Sequence, residues 1–381
     1  MFCKYALVPG LQASTIHRFL HLGEHFVRGS QREIELTVPV NLAGRKYLAS
    51  SNTLGFPKLL SGPTEDYPLL LKAQNREGAT IAQWAKRSKE IIEEALKGFQ
   101  KGGPAVAILF RDLPIRNAKD FSQWLNNLEY EYGSYKKSTG LLPEIAENVA
   151  AGSEESKEST IEPHNEQAYS TFYPTVFTMC TFEKAPHGGE TAIADAREVL
   201  RKLDPNFVDK CERKLLRYWQ YLPDKMSKHS SNVYKTWQHQ FGIHDQMEVT
   251  EYLTDQGYNF EWEKNNLFLW KILPPTNVHP RTGDRIWFNQ MAANHCSYHQ
   301  ATPLFEGIHL PNKEYPYHTT YGDGEEIGQN RIDEVRQAKW ESAVGFDWNE
   351  GDVLFLDNMI MQHSRLSFVG NRQVGISYLN Y

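Results

Sequence analysis

The pattern of apolar and polar positions predicts two helices that flank a buried strand early in the chain. Between residues 80 and 99, apolar residues recur at helical spacing behind Thr80, a residue type that caps helix N-termini, and Gly102 ends the segment. The continuous apolar run at residues 104–110 predicts a buried strand, and a second amphipathic segment begins after Asn117. These elements predict helices packed on a sheet.

The pattern of residues 1–75 predicts secondary structure less clearly. From Ile34 to Val40 apolar residues alternate with polar ones, which predicts a half-buried strand, and Pro39 would place that strand at a sheet edge. Residues 49–67 are rich in glycine and proline and predict turns. The role of this N-terminal part stays open.

Apolar runs at residues 175–182 and 191–194 predict further strands. Asp195, with Glu198 three positions later, has the pattern of a capping box and predicts the start of a helix. Pro205 suits the first position of the helix after it.

Residues 219–320 are rich in Trp, Tyr, His and Asn and show little periodicity, which predicts a long insertion that forms a lid and contributes to a ligand pocket. Residues 150–159 are small and charged, and predict either a mobile surface loop or the rim of a site. A short polar helix is predicted at residues 329–341, and final strands at 353–357 and 373–378.

Many short strands separated by long connections favour a mainly β fold with flanking helices over an alternating parallel α/β fold. We therefore predict a double-stranded β-helix, or jelly roll, as the core of a single domain that spans residues 1–381. The apolar fraction of 40% is sufficient for a large core. No internal repeat is visible.

The formal net charge of −6 argues against a nucleic-acid partner, because such a protein needs a basic face. A small-molecule substrate is the better expectation. Four cysteines show neither a metal-ligand spacing nor a disulfide pattern, which predicts free thiols in a reducing compartment: Cys3, Cys180, Cys211 and Cys296. Without a signal-peptide core or an apolar run of membrane-spanning length, the chain is expected to be soluble and cytoplasmic, and its oligomeric state stays open.

The candidate chemistry lies in His164 and Glu166, which an extended strand would place on the same face, together with His363 at the end of a strongly apolar run. Among 14 histidines and 47 acidic residues, roughly one or two His-x-Asp/Glu pairs are expected by chance, so the pair alone is weak. Two histidines and one carboxylate on adjoining strands would form the facial triad of a non-heme Fe(II) oxygenase, which leaves three metal positions open.

Further features follow the pair in a fixed order: Gly188-Gly189-Glu190-Thr191, Gly351-Asp352-Val353, His363 and Arg372. With them, the chain resembles the taurine dioxygenase-like (TauD/TfdA) family of Fe(II)/2-oxoglutarate oxygenases from about Gly103 to the C-terminus. Glu166 in place of the more common Asp is similar to the variant found in clavaminate synthase.

The resemblance implies that Fe(II), 2-oxoglutarate and O₂ are the cofactors, and that His164, Glu166 and His363 hold the metal. By matching position, Arg372 and Thr191 would bind the far carboxylate of 2-oxoglutarate. It implies oxidation of an unactivated C–H bond in a small polar substrate, with hydroxylation, desaturation and cyclisation all open, and a role in natural-product biosynthesis.

One departure concerns the position four residues after Arg372, where many members carry a second arginine and this chain has Ile376. That absence argues against a sulfonate substrate. Arg365 is expected to point to solvent. Asn289, in a run of aromatic residues, is the candidate for orienting a substrate.

Two other classes of function stay open at this point. A zinc hydrolase could use the same ligands, but the helical His-Glu-x-x-His arrangement is missing and zinc would leave Arg372 and Thr191 unexplained. A metal-binding barrel without catalysis is the non-enzyme alternative, which the retention of all three ligands disfavours. Halogenation is disfavoured because Glu166 occupies the position that a chloride would need.

Overall fold

The computed structural model describes residues 20–75, 77–99, 101–133, 142–153, 155–227 and 234–381. Cys3 and the N-terminal segment considered above for targeting lie outside these residues. Within them, the secondary structure is mainly β with flanking helices, as predicted.

The helices of the described residues are, in chain order, α1 Ile81–Gly98, α2 Ala118–Asn126, α3 Ala196–Lys202, α4 Pro205–Lys214, α5 Trp237–Phe241, α6 Gln246–Asp255, α7 Cys296–Gln300 and α8 Gln329–Glu341. Short 3-10 helices occur at Gln31–Ile34, Pro303–Phe305 and Asn312–Glu314.

The strands are, in chain order, β1 Phe26–Arg28, β2 Leu69–Ala73, β3 Ala107–Arg111, β4 Glu131–Tyr132, β5 Glu144–Ala146, β6 Val149–Ala151, β7 Ile161–His164, β8 Val176–Glu183, β9 His187–Gly188, β10 Thr191–Asp195, β11 Leu216–Leu222, β12 Asn259–Glu263, β13 Asn266–Leu273, β14 Asn277–Val278, β15 Arg285–Ile286, β16 Tyr317–Tyr321, β17 Ala343–Phe346, β18 Val353–Asp357, β19 Met361–Arg365, β20 Phe368–Val369 and β21 Gln373–Asn380.

Two sheets form the jelly-roll core. The larger has the strand order β1-β2-β3-β18-β8-β21-β6-β5, with β4 also on β21, and the smaller has the order β17-β10-β19-β7. Neighbours are antiparallel except for β2 and β3. The largest apolar cluster contains residues of both sheets and of helices α1 and α2. Strands β18 and β19 follow one another in sequence but lie in different sheets, so the chain crosses between the sheets just before the strand that carries His363.

The two early helices confirm their sequence signals. Thr80 caps α1 in a reciprocal capping box with Gln83, and Asn117 caps α2 by accepting a hydrogen bond from the Asp120 amide. The apolar face of α1 is buried, with Trp84 and Ile92 fully inaccessible. The predicted buried strand corresponds to β3, which lies inside the larger sheet.

One local prediction was wrong, and another was confirmed only in part. The segment expected to be an edge strand from Ile34 onward contains a 3-10 helix that ends at Ile34, followed by turns and bends. A capping box at Ser30 with Glu33 starts that helix and competes with extended backbone. Asp195 caps α3 through the Arg197 amide, without the reciprocal bond expected from Glu198.

The insertion is more regular than its sequence suggested. Between residues 216 and 321, strands β12, β13, β11 and β16 form a third antiparallel sheet in that order. One side of this sheet packs with helices α5 and α6 around Trp237 and Leu253. Because aromatic residues occupy both faces, for example Trp219 against Trp270, the strands lack the apolar-polar alternation that reveals a half-buried strand.

The three cysteines of the described residues are buried and carry no disulfide. None of the helices in the described part of the chain combines the length and apolar character needed to cross a membrane.

Candidate active site

The pairing of β7 with β19 brings the two candidate histidines together. These strands are antiparallel, and His164 and His363 are register partners despite their distance in sequence. Their rings lie 4.4 Å apart between centroids. Glu166 lies two residues beyond the end of β7, and the next residue, Gln167, adopts a left-handed backbone conformation with φ of 56°.

The three side chains present one donor atom each to a common point. Glu166 Oε2 lies 3.8 Å from His164 Nε2 and 3.7 Å from His363 Nε2. These distances are too long for hydrogen bonds, so the carboxylate is close to both rings without being bonded to either. The three residues predicted from the sequence are therefore brought together in the structure.

Neighbouring groups orient both rings. His164 Nδ1 lies 2.8 Å from the carbonyl oxygen of Glu162, which favours the tautomer with a proton on Nδ1 and a free lone pair on Nε2. His363 stacks on Phe177 with centroids 3.9 Å apart. Burial, and secondarily the nearby His164, lowers the pKa of His363 well below its ordinary value, so its imidazole is neutral.

Glu166 is held by groups that sequence reasoning missed. The Asn358 side chain accepts a hydrogen bond from the Glu166 amide at 2.7 Å and donates to the Glu166 carbonyl at 3.1 Å. The side-chain nitrogen of Asn165, Nδ2, donates to the backbone carbonyl of Asn358 at 2.7 Å. Both asparagines are fully buried. An asparagine directly beside a candidate ligand was the available signal, but an asparagine in a loop is too common to stand out.

The donor set fits a divalent iron. Two neutral imidazoles and one carboxylate make the two-histidine, one-carboxylate face that such iron sites use, and they would leave positions for other ligands. The hydrogen bond on the far nitrogen of His164 is the support that a metal-ligating histidine commonly has. The Nδ1 atom of His363 is buried without a hydrogen-bond partner, so its ring relies on packing against Phe177.

Arg372 and Thr191 also meet, at 3.5 Å between Arg372 Nη2 and Thr191 Oγ1. Burial lowers the pKa of Arg372 to about 10, with the nearby Arg365 as the next cause. Among the described residues, no carboxylate lies within salt-bridge distance of this guanidinium. Glu190 is close enough to interact with Arg372 and opposes this shift, but it makes no direct ion pair with the guanidinium. A largely desolvated cation without a direct ion-pair partner is a site for an anionic ligand.

Glycines allow Arg372 to lie where it does. Gly188 and Gly189 have φ of 75° and 76°, which side chains rarely tolerate. A Cβ atom on Gly188 would lie 2.2 Å from the Ser367 carbonyl oxygen, and one on Gly189 would lie 3.0 Å from Arg372 Cδ. The Gly-Gly pair of the sequence pattern thus gives room to a backbone contact and to the arginine.

The expectation that Arg365 points to solvent was wrong. Its side chain is 6% exposed, and its guanidinium donates to the carbonyl oxygens of Glu155, Ser156 and Ser159 at 3.1, 2.7 and 2.9 Å. The short polar segment before β7 curls over β19, and its carbonyls surround the cation. Arg365 therefore attaches the 155–159 segment to the strand that carries His363.

The three candidate ligands and the two arginines, Arg365 and Arg372, face a cavity of about 860 Å³. Its wall includes His164, Glu166, His363, Arg372 and residues of the insertion between 290 and 317. Ile376, at the position where many relatives have a second arginine, makes an apolar part of the wall.

Asn289 does not line this cavity, so the expectation of a substrate contact there was wrong. The residue is fully buried, its amide nitrogen donates to the Pro275 carbonyl at 2.7 Å, and its side-chain oxygen accepts from the Met291 amide at 3.0 Å. Both polar atoms are satisfied by backbone. The adjacent Gln290 does reach the cavity wall.

A buried ion pair connects strand β7, which carries His164, to helix α8. Arg336 of α8 donates to the Glu162 carboxylate at 2.5 Å, and both side chains are inaccessible to solvent. The same guanidinium donates to Ser50 Oγ at 3.2 Å, Ser297 Oγ at 2.9 Å and the Ala292 carbonyl at 3.0 Å. One side chain therefore connects β7, the insertion and the N-terminal region.

The chain is similar in sequence to known proteins. The model of the family described as "Taurine catabolism dioxygenase TauD, TfdA family" matches residues 64–376. Dapdiamide synthesis protein DdaC of Enterobacter agglomerans is 28% identical over 277 residues, 72% of this chain and 82% of that protein. A clavaminate synthase-like protein of Arabidopsis thaliana is 24% identical over 325 residues, 84% of this chain and 92% of that protein.

Among solved structures, PvcB of Pseudomonas aeruginosa aligns with a TM-score of 0.45 and 13% identity, over 87% of this chain and 93% of that chain. The family model, by contrast, matches most of the chain. The chain belongs to the TauD/TfdA family, and it is a dioxygenase that depends on iron(II) and 2-oxoglutarate.

Proposed function

We propose that this dioxygenase oxidises an unactivated C–H bond of a small polar substrate, with His164, Glu166 and His363 as the iron ligands. The observation that carries the proposal is the convergence of His164 Nε2, Glu166 Oε2 and His363 Nε2 within 4.8 Å of one another, in the same cavity as Arg372, a buried arginine that has no salt bridge among the described residues. Bound iron(II) would supply the oxidising chemistry with O₂ and 2-oxoglutarate, while the protein decides which hydrogen of the substrate is presented to it.

The far carboxylate of 2-oxoglutarate is assigned to Arg372 and Thr191. A guanidinium binds a carboxylate through two parallel hydrogen bonds, and burial of Arg372 makes an anionic partner more valuable than it would be in water. Thr191 is fully buried and is not part of the cavity surface, so its hydroxyl would orient Arg372 or complete the carboxylate contact after a small shift.

The substrate is assigned to the outer part of the cavity, where residues between 290 and 317 supply one wall and the 155–159 segment supplies another. We propose that residues 219–320 act as the lid of a single catalytic domain. The apolar Ile376 at the cavity wall disfavours a sulfonate. Hydroxylation, desaturation and cyclisation are all compatible with this arrangement.

A role in natural-product biosynthesis is part of the proposal. Its support is the likeness to DdaC, a dapdiamide synthesis protein. Buried free thiols suit a reducing compartment, which supports a cytoplasmic location, and the net charge of −6 disfavours a nucleic-acid partner.

Alanine substitution of each proposed ligand tests the assignment. His164→Ala, Glu166→Ala and His363→Ala should each abolish the formation of succinate from 2-oxoglutarate while leaving the circular dichroism spectrum unchanged, because the sheets pack without the metal. His187→Ala, which alters an exposed histidine outside the cavity, is the matched control and should keep wild-type turnover. Wild-type turnover by any of the three ligand variants would remove that residue from the site, and activity supported by zinc instead of iron would contradict the proposed chemistry.

A further inference from the structure

The outer part of the cavity has a mixed apolar and polar wall. The whole cavity has a volume of about 860 Å³, near the upper end of the range of roughly 300–1,000 Å³ that is typical of ligand pockets. The apolar side is contributed by the insertion, with Pro303, Leu304, Phe305, Pro316 and Tyr317. This volume leaves room for a substrate beside 2-oxoglutarate.

Among the described residues, four acidic or basic side chains other than histidine line the cavity: Glu155, Glu166, Arg365 and Arg372. In the proposed function, Glu166 binds the metal and Arg372 binds 2-oxoglutarate. The terminal nitrogens of Arg365 already donate to three backbone carbonyls of the 155–159 segment, so its charge is directed into that segment. Glu155 is therefore the charged group left to meet a substrate.

The Glu155 carboxylate is held in place at the mouth of the cavity. The Tyr298 hydroxyl donates to its Oε2 atom at 2.6 Å, and Arg365 donates to its backbone carbonyl at 3.1 Å. Burial, and then Glu155 itself, raises the pKa of Tyr298 well above its ordinary value, so the phenol remains a donor. The opposite charge of Arg365 is close enough to interact with Glu155, but among the described residues no lysine, arginine or histidine lies within salt-bridge distance of this carboxylate. It is therefore not engaged in a direct ion pair.

Aromatic rings extend from this carboxylate along the insertion. His299 stacks against Tyr317 with centroids 5.8 Å apart, and its edge meets Phe305 at the same separation. Burial, and secondarily His318, lowers the pKa of His299 to about 3, so the ring is neutral and adds no positive charge. Neutral aromatic faces next to a carboxylate favour a cation over an anion of the same size.

We propose that Glu155, oriented by Tyr298 and by the Arg365-bound segment, selects substrates that carry an ammonium group. This inference rests on the proposed function, because it assigns Arg372 and Glu166 to the cofactors. The ammonium group would lie at the mouth, beside the Glu155 carboxylate. The remainder of the substrate would extend along the aromatic wall toward the metal.

Calorimetric titration of two nearly isosteric probes tests the inference. 2-Phenylethylammonium and 2-phenylethanol differ chiefly in charge, and each would be titrated into the anaerobic enzyme loaded with Fe(II) and 2-oxoglutarate. The wild-type enzyme should bind the ammonium probe about fivefold or more tightly than the alcohol, the scale of a partly exposed charged contact. Glu155→Gln should abolish that preference, and Tyr298→Phe should weaken it.

Glu158→Gln is the matched control, because Glu158 is an exposed carboxylate of the same segment that does not line the cavity. This variant should retain the wild-type preference. Equal affinity of the wild-type enzyme for the two probes, including no binding of either, would overturn the inference, as would a preference that survives Glu155→Gln. The absorption band of iron-bound 2-oxoglutarate in the same samples reports separately on the proposed function, so failure of one is distinguishable from failure of the other.

Discussion

At the scale of single residues, Arg372 shows how burial creates a preference for a ligand. Its guanidinium has no carboxylate partner among the described residues, and burial lowers its pKa to about 10. An anion that enters the cavity would therefore recover interaction energy that the free protein lacks. Gly189 belongs to the same unit, because its missing side chain leaves space for the Arg372 stem.

Arg372→Lys keeps a positive charge but loses the planar fork that grips a carboxylate. The expected loss of 2-oxoglutarate binding is about 1.5–3 kcal/mol, which corresponds to an affinity roughly 10- to 150-fold weaker. The 2-oxoglutarate dependence of uncoupled succinate production measures it. Arg116→Lys alters an exposed arginine and should leave the affinity unchanged. An equal affinity in the Arg372 variant would remove this residue from the cosubstrate site.

Gly189→Ala should weaken 2-oxoglutarate binding through Arg372, because the added Cβ would lie 3.0 Å from Arg372 Cδ. Gly257→Ala provides the comparison: Gly257 has a similar φ of 66°, but no atom lies within 4 Å of the added Cβ. Both variants should lose roughly 1–2 kcal/mol of stability from backbone strain. Only the first should show a raised KM for 2-oxoglutarate, and a matching rise in both would trace the effect to general strain.

At the scale of elements, the sequence predicted those whose signal is local. Helices α1, α2 and α8 and the strands β3, β8 and β18 have a clear periodicity or a clear cap, and the structure confirms them. The third sheet was missed because its strands bury residues on both faces. The strand expected after Ile34 was wrong because the Ser30 cap and its turn were not recognised.

The connection of α8 to β7 through Arg336 and Glu162 makes a prediction at this scale. Arg336→Met removes the hydrogen-bonded partner of the Glu162 carboxylate and leaves the buried Lys339 as the nearby positive charge, which should lower the free energy of unfolding by about 3–5 kcal/mol. The double variant Glu162→Gln/Arg336→Met should recover part of that loss, since the buried carboxylate that lost its hydrogen-bonded partner is gone. Urea denaturation measures both. If the double variant is as unstable as the sum of the two single variants, the ion pair is not the cause.

At the scale of the whole molecule, the candidate site depends on contacts between distant parts of the chain. The proposed ligand triad could be predicted from the sequence because its residue types and their order resemble those of a known family, and the structure brings the three side chains together. The supports were not, since Asn358 for Glu166 and Arg336 for Glu162 become visible only when β7, β19 and α8 are assembled. Arg365 and Asn289 were misjudged for the same reason: sequence position does not tell which backbone carbonyls surround a side chain.

The buried histidines make the stability of the metal-free protein depend on pH. Burial is the main cause that lowers the pKa of His295 to about 2 and of His299 to about 3, and it also lowers that of His363. Below pH 6.5 the unfolded chain binds protons that the folded protein does not, so stability should fall as the pH decreases from 6.5 toward 3.

Each such histidine contributes up to about 1.4 kcal/mol per pH unit in this window. Urea denaturation of the metal-free protein at pH 7, 6 and 5 would measure the slope, and His299→Gln should reduce it by roughly a third because one titrating ring is removed. A stability that is constant from pH 7 to pH 5 would show that the three rings take up protons in the folded protein as they do in the unfolded chain, and would contradict the lowered pKa values.

The most direct test of the central claim is the absorption spectrum of the wild-type protein under anaerobic conditions with Fe(II) and 2-oxoglutarate. If His164, Glu166 and His363 hold iron and the keto acid chelates it, the weak metal-to-ligand charge-transfer band of a bidentate 2-oxo acid should appear. It should be absent in His363→Ala. A wild-type protein that shows no band while it retains one equivalent of Fe(II), or a His363→Ala variant with the same band, would contradict the account.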